Sequence, residues 1–292
     1  MISAIYVAAV KIFMAIMLLF TSLSGGCTEI NGIPEELSEN ADVRIVTFNL
    51  RCTGIGETSV AYRAPYLSAE IEALMPDSAG FQEANYRWIS YLKDHLTDYA
   101  YVGEGRQGGV FGEYSPIFYL KDKYTIRDSG TFWLSKTPEK KGSKDWGSQN
   151  VRICTWAVLE NKETGECYVH LNTHLDHIST EARENQMKIL LNKVGEFIGD
   201  YPLVVTGDFN DDCNSATYSL ATEVLRDSRL IASETENKAT YHDYNENADG
   251  EPIDFIFVSD KLTPVKYHVI DDKINGVYLS DHYGIYIDAT LN

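Results

Sequence analysis

Short apolar runs bounded by polar or turn-forming residues recur along this chain, and such runs predict β-strands. The predicted strands span residues 43–48, 77–82, 99–102, 115–120, 124–134, 151–160, 167–172, 203–206, 253–258, 265–270 and 285–289. Segments 151–160 and 167–172 flank a turn-like stretch that contains Gly165, and together they predict a hairpin.

Helical spacing of apolar residues predicts three helices. The first is expected to have Pro65 in its first turn and to end before Pro76. The second covers residues 88–96, and the third and longest covers residues 180–198. Because strands predominate, the pattern favours two packed β-sheets covered by helices over a simple parallel array.

The composition is that of a globular protein, with 44% hydrophobic residues among 292. Residues 28–41 are rich in Glu, Asn and Pro and are predicted to be a tether. Residues 42–292 contain no linker or repeat and predict one domain. The formal net charge of −18 disfavours a protein that grips duplex DNA nonspecifically. It still permits a phosphoesterase with a locally positive site and a bound cation.

Residues 1–27 have the pattern of a targeting segment. Ile12 to Phe20 is a continuous apolar stretch, and small residues then precede Cys27. This ending is similar to a bacterial lipobox, although Leu23 lies four residues before the cysteine and not three. We expect an exported protein, either secreted or in the bacterial cell envelope as a periplasmic protein or a lipoprotein held at the membrane through acylated Cys27. A plain signal peptide and an uncleaved anchor remain open.

Four further cysteines form no zinc-type Cys-x-x-Cys pair, namely Cys52, Cys154, Cys167 and Cys213. An exported protein can oxidise its cysteines. Cys154 and Cys167 lie on neighbouring predicted strands, but the sequence alone determines no pairing.

Polar side chains follow several predicted strands, where the loops of α/β folds gather chemistry from distant parts of the chain. Asn49 and Glu83 each stand at the end of one such strand. Oxygen ligands that include one or two carboxylates, completed by water and phosphate oxygens, are what Mg²⁺ accepts. The alternative role for Glu83 is to cap the following helix.

Asp208 and Asn210 lie in the turn that Gly207 begins, directly after the strand 203–206. The carboxylate of Asp208 is suited to orient or deprotonate an attacking water. The amide of Asn210 is suited to hold a phosphate oxygen without adding negative charge. An ordinary Asx turn is the alternative interpretation of Asp208.

Asp254 and His282 predict an acid–imidazole pair, in which the carboxylate fixes the tautomer of the ring. Asp281 is a candidate to complete a metal site, and His174 is a candidate to stabilise charge at phosphorus. The remaining histidines are assigned structural or exposed positions, namely His170, His177, His242 and His268.

Six motifs in a fixed order resemble those of the endonuclease/exonuclease/phosphatase superfamily, whose fold is that of DNase I. They are Asn49, Glu83, Asn172-Thr173-His174, Gly207-Asp208-Phe209-Asn210, Asp254 and Ser280-Asp281-His282. The resemblance extends from Val43 to Leu291. It implies an α/β (α+β) fold, a four-layer sandwich of two packed mixed β-sheets flanked by helices. It also implies hydrolysis of phosphate esters by direct attack of water, with Mg²⁺ or Mn²⁺ as the cofactor.

The resemblance implies roles for individual residues. Asn49 and Glu83 bind or support the metal, Asp281 completes the metal site, and Asp208 aligns the water. The remaining roles concern the phosphate and its general acid or base. The scissile phosphate is contacted by Asn210 and His174, and Asp254 orients His282. Arg152 is a further candidate phosphate contact.

Two departures from relatives leave the substrate open. Arg51 stands where abasic-site endonucleases of this superfamily carry an acidic residue. The segment 251–255 differs from the Pro-Ser-Trp-x-Asp-Arg type motif of inositol polyphosphate 5-phosphatases. RNA, DNA, phospholipid head groups, nucleotides and sugar phosphates are all substrates that fit, and we expect a monomer. Trp133 is expected in the core more than at a stacking surface.

Two other interpretations remain. Gly207 to Asp211 fits the Gly-Asp-x-x-Asp element of calcineurin-like dimetal phosphatases, but the Asp-x-His and Gly-Asn-His elements of that class are missing. A non-catalytic surface lipoprotein that uses the fold as a binding platform is the second. Loss of a catalytic group would favour the platform, and no such group is lost.

Overall fold

Twelve strands occur in the residues that the computed structural model describes, 30–246 and 249–292. They are β1 (Val43–Asn49), β2 (Ser78–Gln82), β3 (Tyr99–Val102), β4 (Ile117–Leu120), β5 (Tyr124–Trp133), β6 (Ile153–Asn161), β7 (Cys167–His174), β8 (Leu203–Asp208), β9 (Arg226–Asp227), β10 (Asp254–Val258), β11 (Leu262–Ile270) and β12 (Gly284–Leu291). The predicted targeting segment, with Cys27, lies outside the described residues.

The strands form two sheets of six, ordered β11-β12-β1-β2-β4-β3 and β5-β6-β7-β8-β10-β9. Strands β1 and β2 are parallel, as are β7 and β8, whereas the other pairs are antiparallel. Where a strand ends, an antiparallel neighbour begins, so the ends of β1, β2, β7 and β8 meet the starts of β6, β10 and β12. We call this meeting place the functional edge. The predicted fold of two packed mixed sheets is confirmed.

Five α-helices flank these sheets within the described residues. They are α1 (Val60–Leu74), α2 (Tyr86–His95), α3 (Thr180–Val194), α4 (Ala216–Thr222) and α5 (Ser228–Ile231). Met187 and Leu190 of α3 pack in one apolar cluster with Val205 and Phe257 of the second sheet. The helix is therefore held by apolar burial on the sheet face that points away from the first sheet.

Alternation along the strands divides their side chains between two faces. In β8, Val205 belongs to the cluster under α3, whereas Val204 belongs to the apolar cluster between the two sheets. Thr206 and Asp208 lie on the same face of β8 as Val204 and follow it toward the functional edge. The layer between the sheets is thus apolar at one end and becomes polar, then charged, at the other.

The first helix begins earlier than its prediction. Helix α1 begins at Val60, and the side chain of Ser59 caps it by accepting from the backbone N–H of Tyr62. Pro65 lies inside the helix and not in its first turn, so that part of the prediction is wrong. The helix tolerates the proline because it loses one backbone hydrogen bond while its apolar face stays buried.

Residues 31–41 of the predicted tether lie against the first sheet and α1. The backbone N–H of Ile33 donates to Glu70, and that of Ser38 donates to Asp288, both at 2.9 Å. The division of the chain at residue 42 stays a prediction. No helix in the described ranges combines the length and apolar character needed to span a membrane.

Candidate active site

A polar cleft with a cavity volume of about 370 Å³ opens at the functional edge. Six of the predicted site residues line it, namely Glu83, Arg152, His174, Asp208, Asn210 and His282. The other three are almost fully buried, namely Asn49, Asp254 and Asp281. The edge collects these residues because each stands at the end of a parallel strand or just before an antiparallel one.

Asp254 and His282 form a buried hydrogen-bonded pair. The Nδ1 atom of His282 lies 2.8 Å from Oδ2 of Asp254, and its Nε2 lies 3.9 Å from Oδ2 of Asp208. Burial alone would lower the pKa of His282, but the carboxylates of Asp254 and Asp208 raise that pKa to about 10. The ring is therefore an imidazolium at neutral pH, with both nitrogens as donors.

The carboxylate of Asp208 has two separate tasks. Its Oδ1 accepts from the backbone N–H of Asn210 at 2.9 Å, which is the Asx turn that the sequence allows. Its Oδ2 accepts from the side-chain amide of Asn49 at 2.8 Å and lies 3.4 Å from Nε2 of His174. Burial and the negative charge of Asp254 raise the pKa of Asp208, so this carboxyl is a stronger base than an exposed one.

Asn49 joins two acidic groups. Besides Asp208, its Nδ2 lies 3.4 Å from Oε1 of Glu83, while its Oδ1 accepts from the backbone of Arg51. Burial would raise the pKa of Glu83, but the hydrogen bond from the backbone N–H of Cys52 to Oε2 lowers that pKa. Glu83 therefore stays anionic. The alternative role as a helix cap is wrong, because Asn85 caps α2.

Three residues of the cleft have backbones in the left-handed region. The φ angle is 55° at Arg51 and at Glu83 and 50° at Asn210. Such angles are uncommon for residues with a Cβ atom, and they persist where the surroundings impose them. The left-handed backbone at Glu83 turns the chain away from β2. The Glu83 carboxylate accepts from the backbone N–H of Cys52.

His174 is neutral in the cleft. Burial lowers its pKa well below the usual value, and the positive charges of Arg152 and His282 lower it further. Its contact with Asp208 is therefore between a carboxylate and a neutral ring and is not an ion pair. A neutral imidazole next to phosphate can donate one N–H without bringing charge.

Asp281 lies behind the cleft and faces a cation of this chain. Its Oδ2 lies 3.1 Å from Nη1 of Arg51, whose side chain is 41% exposed. The backbone carbonyl of Asp281 accepts from the N–H groups of His242 and Asp243, which holds the loop before His282 in place. A metal-binding role for Asp281 stays a prediction.

The donor atoms of the site suit a divalent cation on the side of Glu83. Carboxylate and imidazole atoms of Asp208, Asp254 and His282 lie within 4.8 Å of one another. A protonated His282 has no lone pair to offer a metal, so we interpret this trio as an acid–imidazole–acid network. Glu83 is different, because it is anionic, lines the cleft, and makes a long 3.4 Å contact with Asn49 at Oε1. Hard cations bind such carboxylate oxygens.

Sequence reasoning missed several lining residues. His177 was assigned a structural or exposed position, yet it lines the cleft and its Nδ1 lies 3.0 Å from Nη2 of Arg152. Its place three residues after His174 was the available signal. Tyr241, whose ring centroid lies 4.9 Å from that of His282, and the pair Arg106 and Glu113 gave no signal.

Trp133 lies in the interior, as predicted. It is 2% exposed, and its Nε1 donates to the backbone carbonyl of Arg106. A stacking surface for substrate is excluded at this position because the ring has no free face. Within the described ranges, all four cysteines are free thiols.

Comparisons with known proteins give relatives that share this fold. A solved endonuclease/exonuclease/phosphatase from Bacteroides vulgatus is 35% identical, with 86% of this chain and 99% of that chain covered and a TM-score of 0.82. A mannosyl-6-phosphatase from Bacteroides thetaiotaomicron is 30% identical, with 86% and 100% covered and a TM-score of 0.80. The human Nocturnin catalytic domain shares the fold at 18% identity, with 88% and 96% covered and a TM-score of 0.66.

No curated protein matches the chain. The family model named Endonuclease/Exonuclease/phosphatase family matches residues 46–282, a range that contains every predicted site residue. Members of this family are phosphoesterases. The calcineurin-like alternative has no support, since the family model that matches is that of another class of phosphoesterase. The chain thus belongs to the Endonuclease/Exonuclease/phosphatase family.

Proposed function

We propose that this protein hydrolyses a phosphate ester by direct attack of water and that it needs Mg²⁺ or Mn²⁺ to do so. One observation carries the proposal, namely that an anionic Glu83, a basic Asp208 and an imidazolium at His282 meet in one cleft. Base, acid and cation-binding group are the parts that this reaction requires.

Each group has a task that fits its protonation state. Asp208 orients the water and takes its proton, because burial raises the basicity of this carboxylate. The imidazolium of His282, held by Asp254, and the neutral His174 donate to phosphate oxygens as negative charge develops there. Asn210, whose backbone the Asx turn fixes, places its amide at the rim of the same cleft.

Glu83 would hold the cation, and the side-chain amide of Asn49 would hold the carboxylates of Glu83 and Asp208 in position. A bound Mg²⁺ or Mn²⁺ supplies Lewis-acid polarisation of a phosphate oxygen. The ester P–O bond would break as the water oxygen bonds to phosphorus, the proton of the water would pass to Asp208, and the leaving oxygen would take a proton from the imidazolium of His282.

A panel of substrates tests the proposal. It contains mannose 6-phosphate, because one relative is a mannosyl-6-phosphatase, together with RNA, DNA, a nucleotide, a phospholipid and two aryl esters. Each is assayed with Mg²⁺, with Mn²⁺ and with chelator. We expect turnover of at least one ester that stops on chelation and returns with metal. Turnover that survives full chelation would overturn the metal-dependent mechanism.

The cation site is tested by direct binding. Calorimetry with Mn²⁺ is expected to show weaker binding for Glu83→Gln than for wild type, because the anionic ligand becomes neutral. Glu163→Gln, in the exposed turn between β6 and β7, is the matched control and is expected to bind like wild type. Equal Mn²⁺ affinity in wild type and Glu83→Gln would remove Glu83 from the metal site.

We also propose that the protein is exported and acts as a monomer, with Cys27 as its lipid attachment point in a bacterial envelope. The sequence of residues 1–27 supports export, and the acidic net charge of −18 disfavours nonspecific gripping of duplex DNA. Palmitate labelling of wild type and Cys27→Ala tests the attachment, and light scattering tests the monomer.

A further inference from the structure

A second group of charged residues lines the cleft and has no task in the mechanism above. It consists of Arg106, Glu113, Arg152 and His177, and we call it the arginine cluster. Arg152 stands just before β6, and His177 follows β7, so both come from the functional edge. Arg106 and Glu113 come from the loop between β3 and β4.

Arg152 fixes the hydrogen-bonding state of His177. A guanidinium only donates, so Nδ1 of His177, at 3.0 Å from Nη2 of Arg152, must accept. The single hydrogen of the neutral ring is then on Nε2, which makes His177 a donor. Partial burial and the charge of Arg152 lower the pKa of His177, which agrees with a neutral ring.

Both arginines keep unused donors. Nη1 of Arg106 donates to Glu113 at 2.8 Å. Nε of Arg106 and Nε of Arg152 are buried and have no hydrogen-bond partner among the described residues. Asp176 does not satisfy Arg152, since its Oδ1 is 3.9 Å from that Nε and already accepts from Ser148. Buried donors without partners are costly, and at an open cleft they favour an anionic ligand.

The two guanidinium groups are the cations of the cluster. Arg106 donates to the carboxylate of Glu113 at 2.8 Å, whereas Arg152 lies 3.9 Å from that of Asp176, which is too long for a hydrogen bond. Arg152 is 4% exposed, so solvent screens its charge weakly. His174 of the catalytic group lies close enough for the charges of Arg152 and Arg106 to lower its pKa. The two guanidinium groups are therefore next to the place where the scissile phosphate binds.

We propose that the arginine cluster binds the oxygens of a terminal phosphate, so that the protein prefers dianionic phosphomonoesters to phosphodiesters. This inference rests on the proposed function. A monoester phosphate presents three non-bridging oxygens and about two charges at neutral pH. A diester presents two such oxygens and one charge. Guanidinium groups recognise phosphate oxygens by directional, charge-assisted hydrogen bonds, so the additional oxygen and charge gain binding here.

The test compares an aryl phosphomonoester with an aryl phosphodiester in saturating metal. For Arg106→Met we expect the ratio of the two kcat/KM values, monoester over diester, to fall by about 10-fold or more, because a hydrogen bond to a charged group is lost. Arg127→Met is the matched control, since Arg127 is on β5 with a side chain 57% exposed. It is expected to stay within about twofold of wild type for both esters.

A variant of opposite sign separates this role from a structural one. Glu113→Gln keeps the shape and a hydrogen-bond acceptor for Arg106 while removing the negative charge that competes with the ligand. Calorimetry with inorganic phosphate is expected to show tighter binding in Glu113→Gln and weaker binding in Arg106→Met than in wild type. A merely structural ion pair predicts weaker binding in both.

Two results would overturn the inference. One is an equal loss of monoester and diester hydrolysis in Arg106→Met, and the other is weaker phosphate binding in Glu113→Gln. If wild type hydrolysed no ester at all, the proposed function would fail. The phosphate calorimetry would still decide whether the arginine cluster binds the anion.

Discussion

Two histidines between the sheets, His170 and His282, show how the same side chain serves structure at one place and chemistry at another. His170 is fully buried between two hydroxyl groups, with Nδ1 2.8 Å from Ser78 and Nε2 2.8 Å from Thr206. Burial lowers its pKa to about 3, so it is neutral. His282 is almost as buried, yet carboxylates raise its pKa to about 10.

The neutral network around His170 connects the two sheets. Tyr168 donates to Ser78, Thr206 donates to Asn172, and the amide of Gln82 donates to the same Asn172 oxygen at 2.7 Å. These groups satisfy one another without a net charge. Such a network fixes how the sheets pack, and it has little capacity to take up or release a proton.

The charged network around His282 is arranged differently. Asp254 Oδ1 is buried and has no hydrogen-bond partner in the described part of the chain. Two carboxylates, Asp208 and Asp254, lie near one ring and carry like charges. A buried polar atom without a partner lowers stability, and so do like charges held close together. Both costs are typical of functional sites. The difference between the two networks lies in the neighbouring carboxylates and not in burial.

The largest expected effect is a loss of catalytic rate when the charged network is changed. Asp208→Asn is expected to lower kcat/KM by about 10²- to 10⁴-fold, because the base that takes the proton of water is removed. Its free energy of unfolding is expected to fall by no more than about 1 kcal/mol, since a buried like-charge contact with Asp254 also disappears. Steady-state kinetics and urea denaturation measure the two quantities.

A large loss of unfolding free energy in Asp208→Asn with little change in kcat/KM would contradict this difference between the two networks. The charged network would then be structural as well. The result would count against the catalytic assignment whatever the substrate.

The next effect is on the stability of the neutral network. A Cβ atom at Gly80 would lie 2.3 Å from Oγ1 of Thr206 and 2.7 Å from the side chain of Asn172. Gly80→Ala is therefore expected to lower the free energy of unfolding by about 1–3 kcal/mol through overpacking. Gly199→Ala, where no atom lies within 4 Å, is the control and is expected to change little. Equal denaturation midpoints for the two variants would show that the sheets pack less tightly than the structure has them.

A third effect concerns the pH dependence of stability. The pKa of His170 is 6.5 when unfolded and about 3 when folded, so below pH 6.5 the unfolded chain binds a proton that the folded chain does not. The contribution of His170 to the free energy of unfolding is therefore fully present above pH 6.5. It falls by about 1.4 kcal/mol per pH unit as the pH drops toward about 3. Urea denaturation between pH 4 and pH 7 is expected to give a shallower pH dependence for His170→Asn. An unchanged slope would mean that His170 is protonated in the folded state.

Much of the fold follows from local patterns in the sequence. The run 203–206 predicts β8 because an unbroken apolar stretch with β-branched residues fits a buried strand. Residues such as Glu83 and Asp208 could be picked out because polar side chains at strand ends are unusual in an apolar context. The start of α1 was missed because Pro65 is a stronger local signal than Ser59.

The arginine cluster could not be predicted by the same route. Arg106 and Glu113 lie in a loop, where no periodicity relates sequence to position. Their meeting with Arg152 depends on the packing of one sheet on the other, which is a property of the folded chain. The neutral state of His170 and the charged state of His282 likewise depend on neighbours from other strands.

If His170 serves structure and His282 serves catalysis, substituting each of them has opposite effects on rate and on stability. His282→Asn and His170→Asn are compared for kcat/KM, corrected for the folded fraction, and for the free energy of unfolding. We expect His282→Asn to lose about 10²- to 10⁴-fold in kcat/KM. We expect a near-normal rate for His170→Asn with a loss of about 1–3 kcal/mol in stability. A folded His282→Asn that keeps the wild-type rate would show that His282 is not part of the catalytic machinery.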